Sequence, residues 1–311
     1  VFLCTFQRLI EIDHLKTKML ILTPYFMNTP APEVFIQSKK GFMVQITRPA
    51  QGDALASLIL VHGMGEHPGR FSNWAENLAS AGITTFRYPQ QGHEGRKGKR
   101  GHCLGLDSLM DDLDSVLELA SVQQPIFLLG HSMGGTVVSN YILRRKPAQV
   151  AGVILSSPYF RLAFQPPGWK MALANAMNGI WPSLTQPTGL NVNHISRIPD
   201  EVHRYTTDPF IHDQMSVAFF QAIHPAGQFA LTKAQEWGTP ILIGHGLRDA
   251  ITSSIASQQF YSDVPNTTFK KSFWVEQGYH ELHHEPERAA WLQEQVQFVQ
   301  EVCSGACSFP F

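Results

Sequence analysis

The sequence predicts an α/β fold: a mostly parallel sheet flanked by helices, interrupted once by an inserted helical cap. Three observations carry that expectation. Short apolar, strand-like runs alternate with amphipathic helical stretches from about residue 35 to Leu155, and again from Ile241 onward. Between these blocks lie about 85 residues with no strand-like run, and nine of the 20 prolines fall there, from Pro158 to Pro240. A chain of 311 residues that is 43% hydrophobic and only 16% charged can fill one large core.

Taken in order, residues 1–34 have no clear period, and Pro24, Pro30 and Pro32 make them read as a loose lead-in. Phe42-Met43-Val44-Gln45-Ile46 alternates apolar and polar, as a half-buried strand does. Leu58-Ile59-Leu60-Val61 is a short buried strand that runs into His62-Gly63-Met64-Gly65. Phe71, Trp74 and Leu78 then share a helical face closed by Gly82. A strand over 83–88 precedes a helix in which Leu106, Leu109, Leu113, Val116, Leu117 and Ala120 form one stripe. Strand 126–129, helix 133–145 and strand 150–155 complete the first block. The second block has strand 241–243, a helix near 255–261, a strand near 268–275 and a last helix after Pro286. The expected division is a lead-in at 1–34, a core made of 35–158 and 232–311, and a cap at 159–231.

Charge and cysteine usage narrow the class. Lys plus Arg is 24 against 25 for Asp plus Glu, a net charge of −1 that offers nucleic-acid phosphates nothing to hold. No apolar run approaches the ~20 residues needed to cross a bilayer. Cys4 and Cys103 are isolated, and the Cys303–Cys307 spacing matches no usual zinc site, so the four cysteines read as reduced thiols of a cytoplasmic protein. Pro24 and Asn28 interrupt the apolar stretch after Lys16 and Lys18, which argues against a signal peptide. The chain begins with Val1, and Met19 offers an internal start. No internal repeat or obligate protein partner is evident.

The chemistry-bearing residues follow from this layout. Gly130-His131-Ser132-Met133-Gly134 fits G-x-S-x-G, with a strand before it and a helix after it. A serine on such a turn projects its hydroxyl above the sheet edge, while the flanking glycines permit the tight, strained backbone. A serine hydroxyl needs a base, and the base needs a third group to hold its tautomer. The order Ser, then acid, then His selects Asp249, just beyond strand 241–243, and His280, beyond the late strand. Asp200, Asp208 and Asp213 fall in the cap, and Asp263 follows a helix. The oxyanion donors expected are the backbone N–H groups of Met133, next to the nucleophile, and of Met64, in the loop after strand 58–61.

A second motif competes. His280-Glu281-Leu282-His283-His284 satisfies H-E-x-x-H, a zinc signature that requires the segment to be helical. Gly278 just before it and Pro286 just after it, suited to the first turn of a later helix, argue against that helix, so no metal is expected.

These residues resemble the monoacylglycerol lipase and lysophospholipase branch of the α/β-hydrolases, a group catalogued with serine aminopeptidases. The resemblance rests on His62-Gly63-Met64-Gly65-Glu66-His67 with Gly69-Arg70-Phe71, on Gly130 to Gly135, on Gly246-Leu247-Arg248-Asp249 and on Tyr279-His280-Glu281-Leu282-His283. It runs from about Phe35 to Val299. It implies a triad of Ser132, Asp249 and His280, oxyanion donors at Met64 and Met133, a lipid-gripping cap and no cofactor. It departs from the family pattern where Pro89, Glu94 and Arg96 replace an Asp, a Gly and a Ser; none of the proposed catalytic atoms comes from that loop. Lys97, Lys99 and Arg100 make the loop basic, which reads as a solvated surface or, more sharply, as a phosphate-headgroup contact.

In the cap, Trp169, Leu173 and Met177 recur every four residues, with Ile180 and Trp181 beyond. Such a stripe packs on the domain below, or faces an acyl chain or membrane surface. The three are the candidate substrate-binding residues of the cap. The expected activity is serine carboxylester hydrolysis of a small single-chain lipid, monoacylglycerol or lysophospholipid, with transient membrane-surface contact through the cap. Hydrolysis of other esters or amides, or ligand binding without catalysis, are the alternatives.

Overall fold

The computed structural model describes residues 7–12, 17–22, 33–49, 52–120, 124–165 and 167–305. The strands are β1 (Gln7–Ile12), β2 (Thr17–Leu22), β3 (Glu33–Gln37), β4 (Met43–Thr47), β5 (Ala56–Val61), β6 (Ile83–Arg87), β7 (Ile126–His131), β8 (Val150–Ser156), β9 (Thr185–Pro187), β10 (Gln214–Ser216), β11 (Ile241–Gly246) and β12 (Lys270–Val275). The helices are α1 (Ser72–Ser80), α2 (Leu106–Ala120), α3 (Met133–Arg145), α4 (Gly168–Ile180), α5 (Pro199–Thr207), α6 (Val217–Thr232), α7 (Ser254–Asp263) and α8 (Arg288–Cys303).

Ten strands make one sheet in the order β1-β2-β3-β4-β6-β5-β7-β8-β11-β12. From β6 to β12 the pairing is parallel, and the β1–β4 edge is antiparallel. The parallel strands are apolar on both faces because helices cover both. Leu58, Leu60, Phe127, Leu129, Ile154 and Leu242 turn toward α1 and α8, where Trp74, Leu78, Trp291 and Phe298 meet them. Their neighbours Ile59, Val61, Leu128, Val153, Leu155 and Ile243 face the opposite layer of α2, α3 and α6.

Two expectations are corrected. The lead-in is not loose where it is described: β1 and β2 pair with each other, and β2 continues onto β3 with Leu20 opposite Phe35. Such pairing is set by partners elsewhere in the chain, so an irregular local period hides it. Pro24, Pro30, Pro32, Cys4 and Cys307 lie outside the described residues. The stretch expected as cap, 159–231, also includes nearly all of α6, which belongs to the layer over the sheet. Phe219, Ile223, Ala226 and Ala230 of α6 are buried, and Asn140 of α3 donates to the Ala226 carbonyl at 2.9 Å. The part that projects is shorter, with α4, the small β9–β10 ribbon and α5.

Every parallel strand that precedes a candidate residue delivers it at the carboxyl-terminal edge of the sheet, where open α/β sheets place their ligands. β5 leads to Met64, β7 to Ser132, β11 to Asp249 and β12 to His280.

Candidate active site

Ser132 links β7 to α3 with φ 53° and ψ −119°, a backbone conformation an L-residue adopts only under constraint. The constraint is visible. Its N–H donates to Ser156 O at 3.0 Å, and its carbonyl accepts from Gly135 and Tyr159 at 2.9 Å each. Glycine is required at 134 because a Cβ there would run into the carbonyl of Val61. The serine is therefore held up at the edge by strain that the surrounding hydrogen bonds outweigh.

Asp249 and His280 come from different strands and meet because their loops are tied by backbone. Leu247 N–H donates to Val275 O at 2.8 Å and Arg248 N–H to Gly278 O at 3.0 Å. Gly246 permits the approach, since a Cβ would collide with the carbonyls of Gly278 and Tyr279. His280 Nδ1 then lies 2.6 Å from Asp249 Oδ2. Asp249 also accepts from the N–H groups of Ile251 (2.7 Å) and Thr252 (3.0 Å) and from the Thr252 hydroxyl (2.8 Å), and pairs with His245 Nε2 at 3.0 Å. Burial works against this carboxylate's charge, but the His280 charge and the bonds from both histidines hold its pKa below the ordinary range. Burial also works against a charged His280, yet Asp249 outweighs it and raises the imidazole's pKa, with Glu281 and Glu66 adding in the same sense.

Ser132 opens on a cavity of about 290 Å³ also lined by Met64, Met133 and Thr252. Among the described residues no hydrogen bond joins Ser132 to His280. The two sides of the site meet through His131, whose ring centroid is 4.9 Å from that of His280, and through Thr252, whose hydroxyl is 3.2 Å from His280 Nδ1. A nucleophile–base bond that closes only with substrate present is common in unliganded hydrolases. Among the described residues no acceptor takes the N–H of Met64 or Met133, so both remain available at the cavity wall.

The loop that carries Met64 is braced by groups sequence reasoning had not singled out. Glu66 Oε1 accepts from Gly63 N–H at 2.5 Å, His93 Nε2 accepts from Gly65 N–H at 2.8 Å, and His212 N–H donates to Gly65 O at 2.9 Å. His93 belongs to the departing loop, which thus supports the site without reaching the chemistry. In the same loop Arg96 pairs with buried Asp112 at 2.7 Å and covers the Phe42 ring. Beneath, Arg70 bridges Glu66 (3.5 Å) and Glu281 (2.5 Å). Burial, with Glu281 beside it, pushes the Glu66 carboxyl above the ordinary range even though Arg70 pulls the other way. The G-E-H run and the histidine four residues before Asp249 were the available signals for Glu66 and His245.

H-E-x-x-H does not form the helical pair a zinc protease needs. Residues Leu282–His284 make a single 3-10 turn, His280 is engaged with Asp249, and His284 faces Glu201 at 3.2 Å. Glu281, His283 and His284 do bring their donor atoms within 4.8 Å of one another, but Arg70 already holds Glu281 and its charge disfavours a cation there.

The cap stripe also needs correction. Trp169 and Leu173 are 65% and 53% exposed and do not line the cavity, and Met177 is half-buried but not at its wall. The adjoining face of α4, with Met171 and Ala174, lines it instead, together with Leu162, Phe164, Val217 and Phe220. Four-residue spacing identifies which side chains share a face, not which face turns inward.

A hydroxyl poised on a strained turn and free N–H groups at one apolar cavity, with an aspartate-held imidazole in the neighbouring loop, are suited to acyl transfer, on the sheet of the α/β-hydrolase class. The family profile described as serine aminopeptidase, S33, matches residues 52–287. An abhydrolase domain-containing protein of Dictyostelium discoideum is 31% identical over 247 residues, covering 79% of this chain and 26% of that protein. A putative monoglyceride lipase of Schizosaccharomyces pombe is 30% identical, over 79% of this chain and 68% of its own length. The crystal structure of Paleococcus ferrophilus monoacylglycerol lipase superposes with a TM-score of 0.75 at 30% identity, covering 82% of this chain and 96% of the other. The chain belongs to the serine aminopeptidase S33 family of α/β-hydrolases, as a member similar to its monoacylglycerol lipases.

Proposed function

We propose that the protein is a serine carboxylester hydrolase that releases fatty acid from single-chain acyl esters of the monoacylglycerol kind. The observation that carries this reading is the cavity at Ser132. It is walled mainly by aliphatic and aromatic side chains and, at about 290 Å³, lies just below the roughly 300–1,000 Å³ range of small-molecule sites. That suits one acyl chain better than two or three. Ser132 Oγ attacks the ester carbonyl while His280 takes its proton; the oxyanion lies against the N–H groups of Met64 and Met133. His280 returns the proton to the leaving alcohol, then draws one from the water that attacks the acyl carbonyl and passes it to Ser132 Oγ as the acyl–oxygen bond breaks, freeing the fatty acid and the serine. Asp249 keeps Nδ1 of His280 protonated throughout. No step calls for a cofactor.

The outer face of α4 supports contact with a lipid surface as the way substrate arrives. Trp169, Leu173, Ile180 and Trp181 are all more than half exposed, and the segment Gly168–Ile180 has no acidic residue. Among the described residues no helix is long and apolar enough to cross a membrane, so the proposed contact is peripheral. Hydrolysis rates over long-chain monoacylglycerols, lysophospholipids, short esters and aminoacyl amides test the reading. Preference for long-chain monoacylglycerol is the expected result; faster cleavage of aminoacyl amides would replace it with a peptidase.

A further inference from the structure

Beyond the triad, the loop that carries His280 is held by a group that never touches substrate. Glu285 is fully buried, five residues after the histidine. Its Oε1 accepts from the backbone N–H of Arg197 at 2.6 Å, and its Oε2 accepts from Arg197 Nε and, at 3.2 Å, from the N–H of Tyr279. Arg197 reaches on to Glu287. Around this carboxylate the inserted segment 194–196, the end of the 3-10 turn Val192–His194 and the two residues after it, lies against the histidine loop. His280 N–H donates to His194 O at 3.3 Å, Glu281 N–H to Ile195 O at 2.8 Å, and Ser196 Oγ to His284 O at 2.7 Å. The backbone of residues 279, 280 and 281 is thus fixed by one carboxylate and by two carbonyls of the insertion.

A buried carboxylate is an expensive way to gain stability, because an apolar side chain of similar size commonly does as well. What an apolar side chain cannot do is hold two separate N–H groups and a guanidinium at set distances. We infer that Glu285 is a positioning residue for His280: it locks the backbone before the histidine to the inserted segment 194–197, and so keeps Nδ1 on Asp249. The inference rests on the triad reading above. It makes the insertion part of the apparatus that aims the base, besides covering the cavity.

The test measures the rate at which a fluorophosphonate probe labels Ser132 as a function of pH, beside the melting temperature. That rate reads the triad whatever the natural substrate. The groups facing His280 are Asp249, Glu66 and Glu281, with the rings of His131 and His283 near, and none of them is changed in the variants. Glu285→Gln sets an NH2 group against N–H donors and should slow labelling by about 10²-fold, the usual scale for a misplaced catalytic group. Its acid limb should move to lower pH as His280 loses the carboxylate that raises its pKa. Arg197→Ala, at a partly exposed side chain, should slow labelling roughly tenfold in the same direction, the scale of one charge-assisted bond. Arg197→Lys should recover part of that loss. If Glu285→Gln does not fold, Arg197→Ala decides. Labelling at the wild-type rate with an unmoved acid limb, whatever the melting temperature does, would overturn the inference. A wild type that the probe does not label would instead overturn the triad reading, and the positioning role with it.

Discussion

Residues 194–201 of the insertion join the His280 loop by backbone hydrogen bonds, a buried carboxylate and the Glu201–His284 contact, whereas α4 (Gly168–Ile180) and the residue after it present Trp169, Leu173, Ile180 and Trp181 to solvent. The two arms are built from opposite chemistry. Polar, directional bonds specify a position to a fraction of an ångström, which a proton-transferring imidazole needs. Apolar surface specifies no position and gives about 1.5–3 kcal/mol per side chain only when something covers it. On the two proposals made above, one insertion would serve two purposes, aiming the base through one arm and meeting a chain-like substrate through the other.

The comparison can be tested by changing each side in turn. At the catalytic edge, Ser132→Ala should abolish fluorophosphonate labelling and lower kcat by at least ~10⁴-fold with the fold intact; full labelling of the variant would place the nucleophile elsewhere. Asp249→Asn should cost up to roughly 10⁴-fold in kcat, because an amide stabilises neither the tautomer nor the imidazolium. A residual rate within tenfold of wild type would mean that another acid orients His280.

The pH profile follows from the same pair. To act as the proposed base, His280 has to be neutral when it takes the serine proton, and Asp249 raises its pKa. Activity should therefore fade as pH drops through a value above the ordinary histidine pKa of about 6.5, and Asp249→Asn should move that limb downward. An acid limb well below 6.5 in wild-type kcat/KM would contradict the sign.

On the α4 side the effects should be smaller and separable. Met171→Ser, at the cavity wall, should lower kcat/KM for a long-chain monoacylglycerol by roughly tenfold while sparing a short ester, since only the long chain covers that methionine. Leu173→Ser, on the outer face, should leave both soluble rates and the melting temperature nearly unchanged and slow only substrate presented in vesicles. Equal losses on short and long substrates would make α4 a packing element alone. A chelator should change none of these rates, and a loss restored by zinc would reopen the Glu281, His283 and His284 group as a metal site.

Ser132 and its neighbours are legible in the sequence because the device is local. A strand, a glycine-flanked serine and a helix follow one another within about twenty residues, and the close approach of Gly134 to Val61 leaves few other residue types at that position. The Asp249 and His280 assignments rested on chain order and strand ends, and the structure joins them at 2.6 Å. The bracing groups were less accessible. Arg70 and His93 work through Glu281 and Gly65, 211 and 28 residues away in the chain, and nothing in their local spacing marks those partners. Glu66 and His245 have near partners in Gly63 and Asp249, but only the folded loops give those contacts a role.

The residues themselves dictate the alternation of strand and helix, the strained serine turn and the stripe on α4, because each depends on backbone geometry and periodicity within a few turns of chain. Folding in three dimensions chose the rest. It turned Met171 and Ala174 toward the cavity and left Trp169 and Leu173 outside, drew α6 into the layer over the sheet, and paired β1 and β2 along the edge. It also brought Glu285 under the histidine loop and onto Arg197. These outcomes share one cause: burial and hydrogen bonding reward contacts between segments far apart in the chain, and the pattern of any one segment is the same whichever partner it finds.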